Sequence, residues 1–454
     1  MKDQILSIIN ADDRYGFTGF TDISKLKALI SEMNTVDIAE IFEELDKEKI
    51  IELFRILPKD MAADVFTNVD SDQQRIIVEA LTDLEIGEIM SKIFVDDAVD
   101  FIEEMPANVV NRVLQNAGHE KRRLINQILK YPDDSAGSIM TTEYVDLREN
   151  ATVHEAFETI RKTGLNKETI YNCYVMRWDR MLLGVVSAKT LMLANPEDRI
   201  GDIMDTNIVF AYTTDDQEAV TEQFQKYGLL AMPVVDKEQR LVGIITVDDI
   251  VDIIVEESTE DMERLSALAP SDDPYLKTGI VRLFRNRFLW LTVLMLSATI
   301  TGTIIQSFES QLAVLPFLMA FIPMLMNTGG IAGTQSSTLV IRGMAVGEIR
   351  LGDFLRVVWK EIRVAFLCGV GLALINMTRI YVMYGRNIVL AMTVSFSLVC
   401  TIMMAKTAGS LLPMIAKRLR LDPAIMAAPL ITTMVDACSL IIYFSIAKVM
   451  FNIV

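Results

Sequence analysis

The sequence predicts a multidomain membrane protein: an α-superhelical N-terminal domain, an α/β pair of repeats, and an all-α transmembrane domain of five spans. Three observations predict it. Apolar residues recur at helical spacing through residues 1–130. One β-α-β-β-α pattern occurs twice between residues 137 and 256. Five apolar stretches follow, each close to or beyond the about 20 residues that cross a hydrocarbon core. Charge divides in the same way. Residues 271–454 carry 16 Lys and Arg against 8 acids, whereas residues 1–270 carry 27 against 53. An acidic soluble half repels nucleic acid and attracts cations, so no nucleic-acid partner is expected. The four cysteines form no CxxC, and two scattered histidines make no metal or triad pattern. No apolar core precedes the first charges, so no signal peptide is expected.

In the first 130 residues the helical spacing is read from Ile38, Ile41, Phe42 and Leu45, then Ile50, Leu53, Phe54 and Leu57. Pro58 and Asp60 interrupt it, and the cycle resumes as far as Leu114. This predicts small helical hairpins stacked into a superhelix.

In the repeat, Ser138-Ile139-Met140 returns as Asp202-Ile203-Met204. Leu183-Gly184-Val185-Val186-Ser187 is answered by Val242-Gly243-Ile244-Ile245-Thr246. With that element order, the region resembles a tandem pair of CBS domains. The resemblance implies dimerisation and the sensing of an adenine nucleotide or an ion. The expected divisions are 1–130, 131–200, 201–256, an acidic linking helix at 247–275, and the membrane domain at 276–454.

On the linking helix, Asp249, Asp252, Glu256 and Glu260 recur at spacings of three and four, hence on one face. Like charges so placed destabilise a helix unless solvent or a cation screens them. Either a solvated face or a divalent-cation site fits. Ala269 to Pro274 then closes the soluble half.

The spans are expected at about 288–305, 312–339, 364–383, 388–415 and 424–451. Lys277, Arg282, Arg285 and Arg287 precede the first. Arg342, Arg350, Arg356, Lys360 and Arg363 separate the second and third, and Lys417, Arg418 and Arg420 the fourth and fifth. The positive-inside rule places the N-terminus in the cytoplasm. Inside the second span, Pro316 and Pro323 lead to a run with Gly329, Gly330, Gly333, Asn327 and Gln335. It reads either as a broken helix whose free carbonyls line a cavity or as a small-residue packing seam.

The fifth span carries Asp436 near mid-membrane, where an acid usually faces water or a partner. Thr432, Thr433, Ser439 and Tyr443 share its face by helical spacing, predicting one polar stripe.

The whole order resembles the MgtE family of magnesium channels. Its sharpest residues are Gly329-Gly330-x-x-Gly333-Thr334-Gln335-Ser336, Leu421-Asp422-Pro423-Ala424, and Pro429 followed by Asp436. The resemblance implies a homodimer in lipid framing one pore, with Asp436 on hydrated Mg²⁺ and Gly329, Gly330, Gly333 and Thr432 around it. It implies a cytosolic Mg²⁺ sensor of Asp64, Asp96, Asp100, Asp216, Glu218, Asp249, Asp252, Glu257, Glu260 and Asp261, all oxygen donors suited to a hard cation. The chain departs from the family at Ile331, Ala428 and Gly228, and at Lys406 within the fourth span. A buried cation seeks an acid, and were Lys406 to reach Asp436 it would neutralise it. The expected function is a Mg²⁺-gated Mg²⁺ channel of the plasma membrane. The alternatives are a CBS-regulated carrier, proton-coupled through Asp436 and Lys406, and a non-transporting Mg²⁺ sensor. No nucleophile-base pair or GxxxxGK[ST] loop is present, so an enzyme is not expected.

Overall fold

The computed structural model describes residues 2–12, 23–266, 268–271, 275–276, 278–309, 313, 315–423 and 428–452. Asp272, Asp273, Pro274, Lys277, Leu312 and Ala424 lie outside the described residues, and Ala428 is described by its backbone alone. The chain forms two compact units, Met1–Ile254 and Val255–Val454.

The first unit begins with short helices, among them Thr35–Phe42, Lys47–Ile56, Lys59–Asn68 and Val95–Glu103. Their starts are written locally. Asn34 accepts from the Val36 amide, Thr82 and Glu85 form a reciprocal capping box, and Pro58 and Pro106 precede two helices. Each short helix buries one apolar stripe, so stability comes from stacking. Phe42, Phe54, Phe66 and Phe101 run through the stack in edge contacts, with ring centroids 6.5, 6.3 and 5.1 Å apart in turn.

The repeats fold as two three-stranded sheets. In the first, β1 (Tyr144–Arg148) pairs parallel with β2 (Thr169–Met176), which pairs antiparallel with β3 (Leu182–Ser187). In the second, β4 (Ala211–Tyr212), β5 (Ala231–Val235) and β6 (Leu241–Thr246) repeat that order. The repeated Ile-Met pairs exchange partners. A β-carbon on Gly243 would lie 2.6 Å from the Met140 sulfur, and one on Gly184 would lie 2.6 Å from the Met204 sulfur. Each methionine therefore sits over the glycine of the other repeat, and Thr141 and Asp205 bridge to Ile244 and Val185 in the same crossed sense. The glycines are needed for this close approach.

The second unit has five helices long and apolar enough to span a membrane among the described residues. Their helical cores are Ile280–Ser307, Ile322–Ala345, Phe354–Met383, Ile388–Arg418 and Ala428–Met450. The first has no buried residue, and its Leu289, Leu296 and Ile300 are exposed, as a lipid-facing helix requires.

The expected break in the second span is absent. Pro316 opens a 3-10 turn, Pro316–Phe321, Pro323 lies in the first turn of the next helix, and Ile322–Ala345 then runs unbroken through all three glycines. Proline at a helix start removes no hydrogen bond the helix needs. Carbonyls inside a continuous helix are engaged in its ladder, and that of Gly330 also accepts from Thr334 Oγ1 at 3.0 Å. The reading of a broken helix with free carbonyls at Gly329, Gly330 and Gly333 is corrected accordingly. They form a packing seam. A β-carbon on Gly329 would lie 2.7 Å from Thr401 Cγ2 and 2.9 Å from Val435 Cγ1, and one on Gly333 would lie 2.8 Å from Ile431 Cγ2. A β-carbon on Gly409 would overlap the Gly333 carbonyl. Such backbone proximity drives helix association in lipid, where hydrophobic burial does not.

Gly409→Leu should therefore force the second and fourth membrane helices apart and destabilise the domain by about 1–3 kcal/mol or more. Melting in detergent tests this, and an unchanged midpoint would mean the seam can open without cost.

Candidate metal sites

Asp436 lies half-buried on Ala428–Met450. Among the described residues its carboxylate makes no hydrogen bond or ion pair. Thr432 and Thr433, one turn earlier, are also half-buried, and both hydroxyls donate to the Pro429 carbonyl, at 3.0 and 2.9 Å. The predicted stripe stops there. Ser439 is fully buried and donates to the Val435 carbonyl, while buried Tyr443 donates to the Leu318 carbonyl at 3.0 Å. Those two groups tie the helix to its own backbone and to the 3-10 turn. Both are fully buried, so the open polar face is confined to the half-buried Thr432, Thr433 and Asp436.

Beside it is a cavity of about 540 Å³ lined by Ile331, Thr334, Gln335, Thr338, Lys406 and Thr432, with Leu339 at one wall. Lys406 is 6% exposed. Its ammonium donates to Ser336 Oγ at 3.3 Å, and that hydroxyl donates to Glu361 Oε2 at 2.6 Å. Among the described residues Lys406 forms no ion pair with Asp436. The condition under which it would neutralise Asp436 is thus not met, and its contact runs toward the third membrane helix.

In the first unit, acids gather where the helical domain meets the repeat. Asp96 is buried, its Oδ1 has no partner, and burial followed by the charges of Asp249, Asp97 and Glu168 holds its carboxyl well above the usual range. Burial and then Asp249 push Asp97 up to about 6, with Lys121 opposing. Burial, Asp249 and Asp248 push Glu168 up to about 8, and its buried Oε2 is also without a partner. Asp249 is raised by burial although Thr246 Oγ1 donates to it at 2.6 Å. Lys121 is lowered by burial, against the pull of Glu143, Asp96 and Asp97. Two orphaned carboxylate oxygens among mutually repelling acids fit a hard divalent cation. Among the described residues no three acids or histidines converge as a ready chelate.

Sequence reasoning found Asp96 and Asp249 but missed Asp97, Glu143, Glu168, Asp248 and Lys121. The doublets Asp96-Asp97 and Asp248-Asp249 were a usable signal. Glu168, next to Lys167, and Lys121, within Glu120-Lys121-Arg122-Arg123, are brought into range of the cluster only by folding. The remaining predicted ligands are spread out. Asp64 is raised by burial and then by Asp60. Asp216 caps Gln217–Tyr227 by accepting from the Glu218 amide at 2.9 Å. Asp100 lies on the same helix as Asp96, and Asp252 is exposed. Gly228 ends Gln217–Tyr227 at φ +62°, a left-handed position that an acidic side chain would occupy only with strain. Glu257, Glu260 and Asp261 belong to the second unit. There Arg264 pairs with both Glu260 and Asp422, and burial and then Asp422 raise Asp261.

The first-unit cluster has a pH signature. Raised carboxyls bind protons in the folded state that the unfolded chain releases near pH 4, so stability is full below that and is lost as pH rises through the folded values. A fragment ending at residue 270 should therefore melt several degrees lower at about pH 8.5 than at about pH 5 in chelator. Mg²⁺ should remove most of the difference. A midpoint that rises with pH in chelator would refute the cluster's electrostatics.

A family model described as "Divalent cation transporter" (MgtE) matches residues 322–446. The "MgtE intracellular N domain" matches residues 33–134, and the CBS domain matches 136–197 and 200–256. The magnesium transporter MgtE of Thermus thermophilus is 34% identical over 437 residues, covering 95% of this chain and 96% of the relative. That of Bacillus subtilis is 31% identical over 429 residues, 94% of each. A solved cytosolic domain of the Mg²⁺ channel MgtE in complex with ATP is 31% identical, with a TM-score of 0.51, and covers 55% of this chain and 99% of its own. The soluble part of a magnesium transporter is 26% identical, with a TM-score of 0.51, and covers 57% and 98%.

Proposed function

The chain belongs to the MgtE family of divalent cation transporters, and from that membership we propose a homodimeric Mg²⁺ channel of the plasma membrane, closed by cytosolic Mg²⁺. Magnesium transport under the control of the helical and CBS domains is the family's function and this chain's. The finer reading rests above all on Asp436: a half-buried carboxylate in a membrane helix, without a partner among the described residues. Mg²⁺ gives up water reluctantly, so the acid would hold the hydrated ion through its water shell. Two subunits would supply two such acids. Thr432, one turn earlier, offers its hydroxyl oxygen beside the cavity. Membrane potential would drive entry by about 4.6 kcal/mol for two charges across 100 mV.

The sensor would act from the cytosolic side. Mg²⁺ at the Asp96 and Asp249 cluster would cancel the repulsion that burial has made costly. Asp64, Asp100, Asp216, Glu218 and Asp252 would extend the acidic field of the first unit, and Glu257, Glu260 and Asp261 would contribute as acids of the linking helix. The CBS pair would take an adenine nucleotide, as the solved relative with ATP supports. The N-terminus lies in the cytosol on this reading, in keeping with the Lys and Arg between alternate spans. The proton-coupled alternative through Asp436 and Lys406 loses its main support, since the two do not pair. Flux into proteoliposomes at low internal Mg²⁺ tests the proposal, and absence of divalent uptake there would refute it.

A further inference from the structure

Three membrane helices meet at one chain of hydrogen bonds. Lys406 of Ile388–Arg418 donates to Ser336 of Ile322–Ala345, and Ser336 donates to Glu361 of Phe354–Met383. A serine hydroxyl has one proton, and here it points to Glu361 while a lone pair takes the lysine. That direction places an acceptor at Glu361 and a donor at Lys406, which an ammonium and a carboxylate bridged by a hydroxyl satisfy. Ser336 is fully buried, so water does not replace it. Lys406 also lines the cavity that Thr432 enters from the helix of Asp436. Were it freed, its ammonium would have that cavity to turn into.

We infer that Lys406 is a positioning and specificity-determining charge of the conduction path, held off it by the Ser336–Glu361 relay, and that removing the charge of Glu361 releases the ammonium into the path and repels the divalent ion. The inference rests on the channel reading for its effect on flux, whereas the relay itself does not. It assigns Lys406 and Glu361 a joint role: together they are neutral, and Glu361 alone would leave the cavity more favourable to cations.

The experiment is a double-mutant cycle on the full chain, with Glu361→Gln, Lys406→Met and both together. Initial Mg²⁺ flux should fall about tenfold in Glu361→Gln and rise a few-fold in Lys406→Met, as like charge and its removal at short range require. The double variant should return to the Lys406→Met level, because the offending charge has gone. A purely structural role would leave it at or below Glu361→Gln, and that result would overturn the inference. Melting of the same proteins in detergent reads the relay without conduction: the double variant should lose less than the sum of the single losses. Additive losses would overturn the relay itself. If wild type carries no Mg²⁺, the channel reading fails, and the melting cycle still decides whether Lys406 and Glu361 act together.

Discussion

Asp436→Asn should lower Mg²⁺ flux about a hundredfold or more while leaving the melting point close to wild type. The change is nearly isosteric, and among the described residues the carboxylate has no partner to lose. What disappears is charge. Hydrogen bonds to a charged group are worth about 1.5–3 kcal/mol each, and about 1.4 kcal/mol is a factor of ten. In the proposed homodimer one acid from each subunit would face the same hydrated ion, and two such losses would combine. The amide can still accept a hydrogen bond from bound water, so a small residual current is expected. Isotope uptake into proteoliposomes, with orientation and protein content matched, measures it. Flux and selectivity equal to wild type would show that ions pass without using this side chain.

The second large effect concerns closure. Replacing Asp249, Asp252, Glu257 and Glu260 by their amides should leave peak flux intact and raise the internal Mg²⁺ needed for closure by about tenfold or more. A ligand shifts an equilibrium only by its differential affinity for the two states, and in the proposed sensor these charges would supply that difference. Asn at position 249 keeps an oxygen for Thr246, so the start of the linking helix should survive. The same changes should blunt the Mg²⁺-dependent protection of residues 1–270 against protease. Closure at unchanged internal Mg²⁺ would place the sensor elsewhere.

Much of this could be read from the sequence because it is local. The strand order, the paired glycines and the short amphipathic helices each announce themselves within a few residues. The crossed seating of Met140 and Met204 does not, because each methionine meets the opposite repeat. Glu361 was legible in principle: it is one of only eight acids in residues 271–454, and Lys406 needed one. Asp436 is an equally plausible partner by sequence because it too lies mid-span, and only the helix packing separates the two. The glycines were ambiguous for the opposite reason. Small residues serve both a cavity and a seam, and the decision depends on what stands opposite. Here that is Thr401, Val435, Ile431 and Gly409.

That seam also bears on how such a chain can change over generations. Gly409 stands against the Gly333 carbonyl, a group present whatever residue occupies position 333. No substitution at 333 can make room, so position 409 has no compensating partner and its glycine is fixed before any choice of pore chemistry. Ile331, on the helix of Gly333 rather than that of Gly409, is 52% exposed and borders the cavity. The fourth membrane helix is therefore closed to variation where it crosses the second, and the second presents a face that is free to drift. New ion preferences would arise by substitution on that free face, within a frame the crossing keeps unchanged.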